Sequence, residues 1–226
     1  MFSDLVNILF PRVCAACGEV LLKLEQEICL ACTVHLPKTD FHKIQGNPVA
    51  KIFWGRIEIE NAFAYYHFHK GNKVQHMLHQ LKYKGAQKLG EKIGQLYGHE
   101  LINSVFCKEI DFIVPVPLHP KKLKKRGYNQ SESFAKGLSQ TLNIPFNTKL
   151  LTRAVNSETQ TKKNRFNRWE NVSEIFCADD NNIQFNHRHI LLVDDVITTG
   201  ATIEACARVL KAKQIRVSVA AIASTQ

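Results

Sequence analysis

An α/β fold with a mainly parallel sheet flanked by helices is expected from three features of the sequence. First, short apolar runs recur at 111–116, 190–193 and 215–223, as strands buried on both faces require. Second, stretches of helical apolar spacing lie among them: Val74, Met77, Leu78 and Leu81; then Leu89, Ile93, Leu96, Tyr97 and Leu101; then Ile203, Cys206, Ala207 and Leu210. Strands alternating with helices imply parallel pairing. Third, the run Ile190, Leu191, Leu192, Val193 leads into Asp194 and Asp195, a turn of Thr198, Thr199, Gly200, Ala201 and Thr202, and a helix from Ile203. That order places carboxylates, hydroxyls and a helix N-terminus beyond a strand's carboxyl end, where open α/β sheets bind ligands.

Taken in order, residues 3–10 read as a short amphipathic helix stopped by Pro11, expected to dock on the domain. Cys14 and Cys17 form one Cys-x2-Cys knuckle, and Cys29 and Cys32 form another, eleven residues on. Four thiolates close a tetrahedral Zn²⁺ site with no open position, so the ion is expected to be structural. Gly18 suits the turn that aims backbone N–H groups at the sulfurs. From 36 to 55, Pro37, Gly46, Pro48 and Gly55 interrupt any period and mark a connector. The chain therefore divides into a zinc-ribbon module with its connector at 1–50 and a main domain at 51–226. Residues 57–68 read as an edge strand or hairpin.

After the strand at 111–116 comes a proline-stiffened turn and then five cations in six residues: Lys121, Lys122, Lys124, Lys125 and Arg126. A loop at the carboxyl edge with that charge suits an anion. A helix is expected to start near Asn129, with Phe134, Ala135, Leu138 and Leu142 inward. Leu150 to Arg153 reads as a strand end. Residues 159–169 are polar and basic, with Phe166 and Trp169 among the cations; such an arm suits pyrophosphate or a single-stranded nucleic acid, whose bases stack on rings. Extended chain resumes at Asn171 and Val172, and 181–189 is a polar loop. Cys107, Cys177 and Cys206 lack metal spacing and read as ordinary buried thiols.

The net charge of +10 implies an anionic partner: polyphosphate, nucleic acid or an acidic surface. No apolar run nears the ~18 residues that span a bilayer. The first residues lack a basic signal-peptide region, so a cytoplasmic location is expected, with the seven cysteines as thiols or metal ligands.

The stretch from Ile190 to Thr202 resembles the thirteen-residue PRPP (phosphoribosyl pyrophosphate) loop of type I phosphoribosyltransferases: four apolar residues, Asp-Asp, two apolar residues, Thr-Thr-Gly-x-Thr. Every position is filled. The resemblance implies that Asp194 and Asp195 contact the ribose hydroxyls of PRPP and stabilise an oxocarbenium-like transition state. It implies that Thr198, Thr199, Gly200, Ala201 and Thr202 wrap the 5-phosphate, and that Mg²⁺ arrives with the pyrophosphate. Arg126, Gly127, Tyr128, Asn129 and Gln130 resemble the ComF/GntX branch, competence-associated proteins with a four-cysteine knuckle before a phosphoribosyltransferase domain. On that resemblance Lys121, Lys122, Arg126 and Asn129 belong to the pyrophosphate loop. Gln160, Lys163, Arg165 and Arg168 belong to a flexible loop closing over PRPP. The implied role is in DNA uptake and natural transformation, with DNA-uptake machinery proteins as partners. Three activities stay open: phosphoribosyl transfer to an unidentified acceptor, PRPP-regulated binding of single-stranded DNA, and purine or pyrimidine salvage. Against salvage, no separate base-recognition hood is apparent.

Overall fold

The computed structural model describes residues 10–153, 176–178 and 187–226. The helix expected at 3–10 (but for Phe10), the chain at Asn171 and Val172, and the basic arm with Gln160, Lys163, Arg165 and Arg168 lie outside the described residues.

The cysteine-rich segment comes first and ends in helix α1 (Leu30–His35). The stretch expected to be an irregular connector instead folds into a 3-10 turn (Phe41–Lys43) and helix α2 (Pro48–Lys51). Phe41, Val49 and Phe53 are buried there. The absence of a period reflects the shortness of these pieces. They are pinned by single polar residues: Asn47 caps α2 at the amides of Val49 and Ala50, and donates to the carbonyl of Ala62 at 2.9 Å.

Strand β1 (Ala62–His67) follows. It is an edge strand, but it is shorter than 57–68 and is not a hairpin, because it pairs in parallel with the last strand of the chain. Helix α3 (Lys73–Tyr83) and helix α4 (Gln87–Leu101) carry the two expected stripes inward. Strand β2 (Phe112–Pro115) leads into helix α5 (Pro120–Arg126). The basic run is thus a helix and not the expected loop. His119 caps it by accepting from the amide of Lys121, Pro120 occupies its first turn, and Gly127 at φ +79° stops it. Proline at the start and glycine just past the end are strong helix boundaries. Helix α6 (Gln130–Leu142) begins where expected, with Asn129 as its cap.

Strands β3 (Leu151–Arg153) and β4 (Phe176–Ala178) form a separate antiparallel ribbon. Cys177, expected to be buried, is exposed. Side chains alternate along a strand, and its neighbour Phe176 takes the inward face. Strand β5 (His189–Ile197), helix α7 (Ala201–Lys211) and strand β6 (Arg216–Ser224) complete the fold.

The main sheet has the order β1-β6-β5-β2, and all its pairs are parallel. Ile190, Leu191, Leu192 and Val193 are each fully buried. Successive strand residues point to opposite faces, so both faces of β5 are covered, as a mainly parallel sheet flanked by helices demands. The strand also runs further than the apolar run implies. Asp194 pairs with Ala221 and Val196 with Ala223, so the carboxylates sit within the last turns of the pleat and are held by the ladder.

Helices α4 and α6 cross at backbone contact. A Cβ on Gly94 would stand 2.4 Å from the carbonyl oxygen of Phe134, and one on Gly137 would stand 2.0 Å from that of Glu91. No side chain fits between them, so this pair of glycines sets how closely α4 and α6 approach; α6 in turn packs against β2 and β5.

Candidate functional site

Five elements meet at the carboxyl edge of the sheet: β5, α3, α5, α6 and α7. Strand β5 brings Asp194 and Asp195. The Asp194 Oδ1 atom accepts from the Ser131 hydroxyl at 3.0 Å and from the amide of Asp195 at 2.8 Å. The Asp195 Oδ2 atom faces the Lys82 ammonium at 3.1 Å. One carboxylate is therefore tied into α6 and the other points toward α3.

Burial and the adjacent Asp195 charge push the Asp194 carboxyl up to about 7; the amide of Asp195, the Ser131 hydroxyl and Lys82 pull the other way. The folded chain thus keeps a proton that an unfolded chain, with a carboxyl near ~3.9, has released. This contribution to stability is whole below about pH 4 and is lost as pH rises to about 7. Thermal melts across that window should show the wild type losing stability relative to Asp194→Asn as pH rises from about 4 to 7. Equal slopes would mean that Asp194 titrates normally.

After Ile197 the chain turns through Thr198 and Thr199, both exposed, to Gly200, which caps α7 at φ +75°. The carbonyl of Thr199 accepts from Arg56 Nη1 at 2.8 Å, and Arg56 also pairs with Glu204 on α7. The amides of Thr199 and Gly200 donate to no group among the described residues. With the dipole of α7 behind them, they form a site suited to a phosphate. Gly200 is also required by space, since a Cβ there would meet Ile52 Cγ2 at 2.7 Å and Phe53 Cε1 at 2.9 Å.

The basic helix supplies a third part. A hollow of about 300 Å³ is lined by Lys82, Tyr83, Gly85, Lys122, Lys125 and Arg126. Lys122 and Arg126 face it, whereas Lys121 does not line it. Arg126 is steered by Gln130 Oε1 at 2.6 Å and lies 5.6 Å over the Tyr83 ring. Asn129 uses its side chain locally, donating to the carbonyl of Val116 at 2.9 Å and accepting from the amide of Ser131 at 3.2 Å. A second hollow, of about 470 Å³, shares Lys82 and Tyr83 and reaches Asp195, Thr198, His79 and Phe68.

Lys82, Tyr83, Ser131 and Arg56 were not legible as site residues. Lys82 and Tyr83 end an amphipathic helix whose stripe announces only its buried side. Ser131 alone had a signal, lying directly after Asn129 and Gln130.

Away from this edge, the Sγ atoms of Cys14, Cys17, Cys29 and Cys32 lie within 4.8 Å of one another. The amide of Cys29 donates to Cys14 Sγ at 3.3 Å and that of Cys32 to Cys29 Sγ at 3.4 Å, and Gly18 turns at φ +82°. Burial raises the Cys14 thiol, but amide hydrogen bonds from Cys29, Cys17 and Ala16 outweigh it and hold it at about 7; burial and the other sulfurs drive Cys32 upward. Four sulfurs this close repel once ionised, and a divalent cation reverses that repulsion. The donor set fits zinc. The module rests on α3, where Gln80 donates to the carbonyl of Ala15 at 3.1 Å.

No helix among the described residues is long and apolar enough to cross a membrane.

No protein-family model matches the chain. It is similar to competence protein F of Haemophilus influenzae, with 34% identity over 99 residues, 44% of this chain and 43% of that protein. The match thus spans less than half the length of that relative. It is 26% identical to the DNA utilization protein YhgH of Escherichia coli over 88% of this chain and 83% of that one. It is 26% identical to competence protein ComFC of Bacillus subtilis over 89% and 79%. The resemblance to ComF proteins read from the sequence is met by these relatives. Among solved structures, adenine phosphoribosyltransferases of Saccharomyces cerevisiae and Leishmania tarentolae align with TM-scores of 0.38 and 0.40. They do so at 17% and 13% identity, covering 62% and 74% of this chain and 69% and 94% of theirs.

Proposed function

We propose that the carboxyl edge of the sheet binds PRPP together with Mg²⁺, and that the protein serves a ComF-type role in the uptake and use of DNA. The observation that carries the reading is the convergence at one edge of three parts suited to three parts of one ligand. Asp194 and Asp195 suit the ribose diol. Thr198 to Thr202, where the Thr199 and Gly200 amides have no partner among the described residues, suit the 5-phosphate. Lys82, Lys122, Lys125 and Arg126 suit the pyrophosphate. Asp194 is already bonded twice on one oxygen and Asp195 faces a lysine, so the protein offers few ligands to cage Mg²⁺; the ion would come with the pyrophosphate and neutralise it. The names of the curated relatives support the DNA role. Transfer of the phosphoribosyl group would need an acceptor, and the hollow beside Asp195 has room for one.

In the same reading Cys14, Cys17, Cys29 and Cys32 hold a structural zinc ion, within a module of residues 1–50 that precedes the PRPP-binding domain at 51–226.

Calorimetry with PRPP, ribose 5-phosphate and pyrophosphate, with and without Mg²⁺, tests the proposal. PRPP should bind more tightly than either fragment, and Mg²⁺ should strengthen it. Asp195→Asn should weaken PRPP by about 10- to 100-fold, the worth of one hydrogen bond to a charged group, without changing zinc content. A wild-type protein indifferent to all three ligands would sink the reading. Binding without ribosylation of any acceptor would favour PRPP as a regulator.

A further inference from the structure

A second group of metal-ligating side chains lies at the opposite, amino edge of the sheet. Asp40 opens the 3-10 turn at Phe41–Lys43, His42 lies within it, and Glu100 stands near the end of α4. One carboxylate oxygen of each acid and one ring nitrogen of His42 fall within 4.8 Å of one another. Both His42 nitrogens are shut off from solvent and have no hydrogen-bond partner among the described residues. Two buried ring nitrogens paired with nothing call for a missing partner. The His42 ring is fixed edge-on to Tyr97 at 5.7 Å between centroids. The Tyr97 hydroxyl is likewise buried and unpaired.

We propose that Asp40, His42 and Glu100 form a second metal site, for a divalent ion of the zinc, cobalt or manganese class. One imidazole and two carboxylates suit such ions better than calcium or magnesium, which take oxygen alone. The two carboxylates are partly engaged. Lys43 pairs with Asp40 Oδ1 at 2.6 Å, and Lys38 pairs with Glu100 Oε1 at 2.7 Å, where Tyr65 also donates. The ion pairs and hydrogen bonds of the two carboxylates among the described residues fall on Oδ1 of Asp40 and Oε1 of Glu100, so each acid keeps a second oxygen for a metal. The lysines balance the two acids when the site is empty and temper its affinity when it is filled. A hollow of about 720 Å³ lined by His42, Lys43, Glu60, Glu100 and Glu109 borders the cluster. Three protein ligands leave open positions for water, unlike the closed cysteine site. Filling the site would clip the 3-10 turn to the end of α4.

The test uses the full chain as purified, with its cysteine site filled. Equilibrium dialysis against Zn²⁺ followed by metal analysis should find one ion per chain more in the wild type than in His42→Gln or Glu100→Gln. Co²⁺ added to the zinc-filled protein should give visible bands without thiolate charge transfer, and these should vanish in both variants but persist in Asp195→Asn. Asp40 is half exposed, so Asp40→Asn supplies a third variant whose melt should stay close to the wild type. Equal metal content in wild type and all three variants would overturn the proposal, as would cobalt bands lost through Asp195→Asn.

Discussion

Cys29→Ser is expected to abolish the proposed zinc binding of the N-terminal module and to open that module to protease. Cys29 has three jobs at once. Its sulfur stands 3.8 Å from that of Cys17, its amide donates to Cys14 Sγ, and its side chain caps α1 at the amide of Cys32. Serine keeps a cap but is a poor zinc ligand. Structural zinc sites contribute apparent binding energies of about 10–16 kcal/mol near neutral pH, most of which is folding energy. The module has little to replace it. Ala15, Ala16, Leu21 and Ile28 are buried, but Leu22, Leu24, Leu30 and Val34 face solvent at 71, 95, 70 and 62% exposure. A segment that leaves more large apolar groups outside than inside cannot hold its shape by burial alone. Metal analysis and limited proteolysis check this, with Cys107→Ser, at a buried thiol remote from the knuckles, as the control. A Cys29→Ser protein that is metal-free yet protease-resistant over residues 12–36 would show that zinc does not organise the module.

The knuckles were legible because metal spacing is local: each pair is set by its own turn. The same holds for β5 and its loop, where the apolar run, the acids and the glycine are contiguous and share one strand-to-helix turn. What could not be read was whatever depended on distant partners. The basic run has the composition of a solvated loop, and only the pairing of Pro120 with Gly127 marks it as helix. The connector carries no period because its pieces are a turn long, and Asn47 holds it by reaching β1 fifteen residues away. Lys82 meets Asp195 across more than a hundred residues, brought there by the packing of α3 beside the sheet's carboxyl edge. His42 looked like any other of the ten histidines until the fold set it beside Glu100. The gap between Asp194 as read and as built has the same origin. Sequence puts the acids at the end of an apolar run, whereas the ladder with β6 draws Asp194 into the sheet and desolvates it.

Gly200→Val is expected to abolish the proposed PRPP binding and to destabilise the fold, for two separable reasons. The backbone at φ +75° is one that a β-branched residue resists, at a cost of about 1–3 kcal/mol. The added Cβ would also stand inside van der Waals distance of Ile52 and Phe53, and overpacking of this kind costs about 1–3 kcal/mol more. Relief of either strain must rotate the turn, and the turn holds the amides of Thr199 and Gly200, which have no partner among the described residues. Loss of two hydrogen bonds to a charged phosphate corresponds to a fall in affinity of about 100-fold or more. Gly200→Ala with Ile52→Ala removes one cause in part, since truncating Ile52 takes away its Cγ2 contact while the Phe53 contact at 2.9 Å and the positive φ remain. That double variant should be more stable than Gly200→Val in denaturant melts, and still bind PRPP more weakly than wild type in calorimetry. Asp195→Asn, which loses a ligand contact without moving the turn, should show the binding defect alone. Full PRPP affinity in a folded Gly200 variant would mean that the phosphate does not sit on this turn, whatever the acidic pair beside it binds.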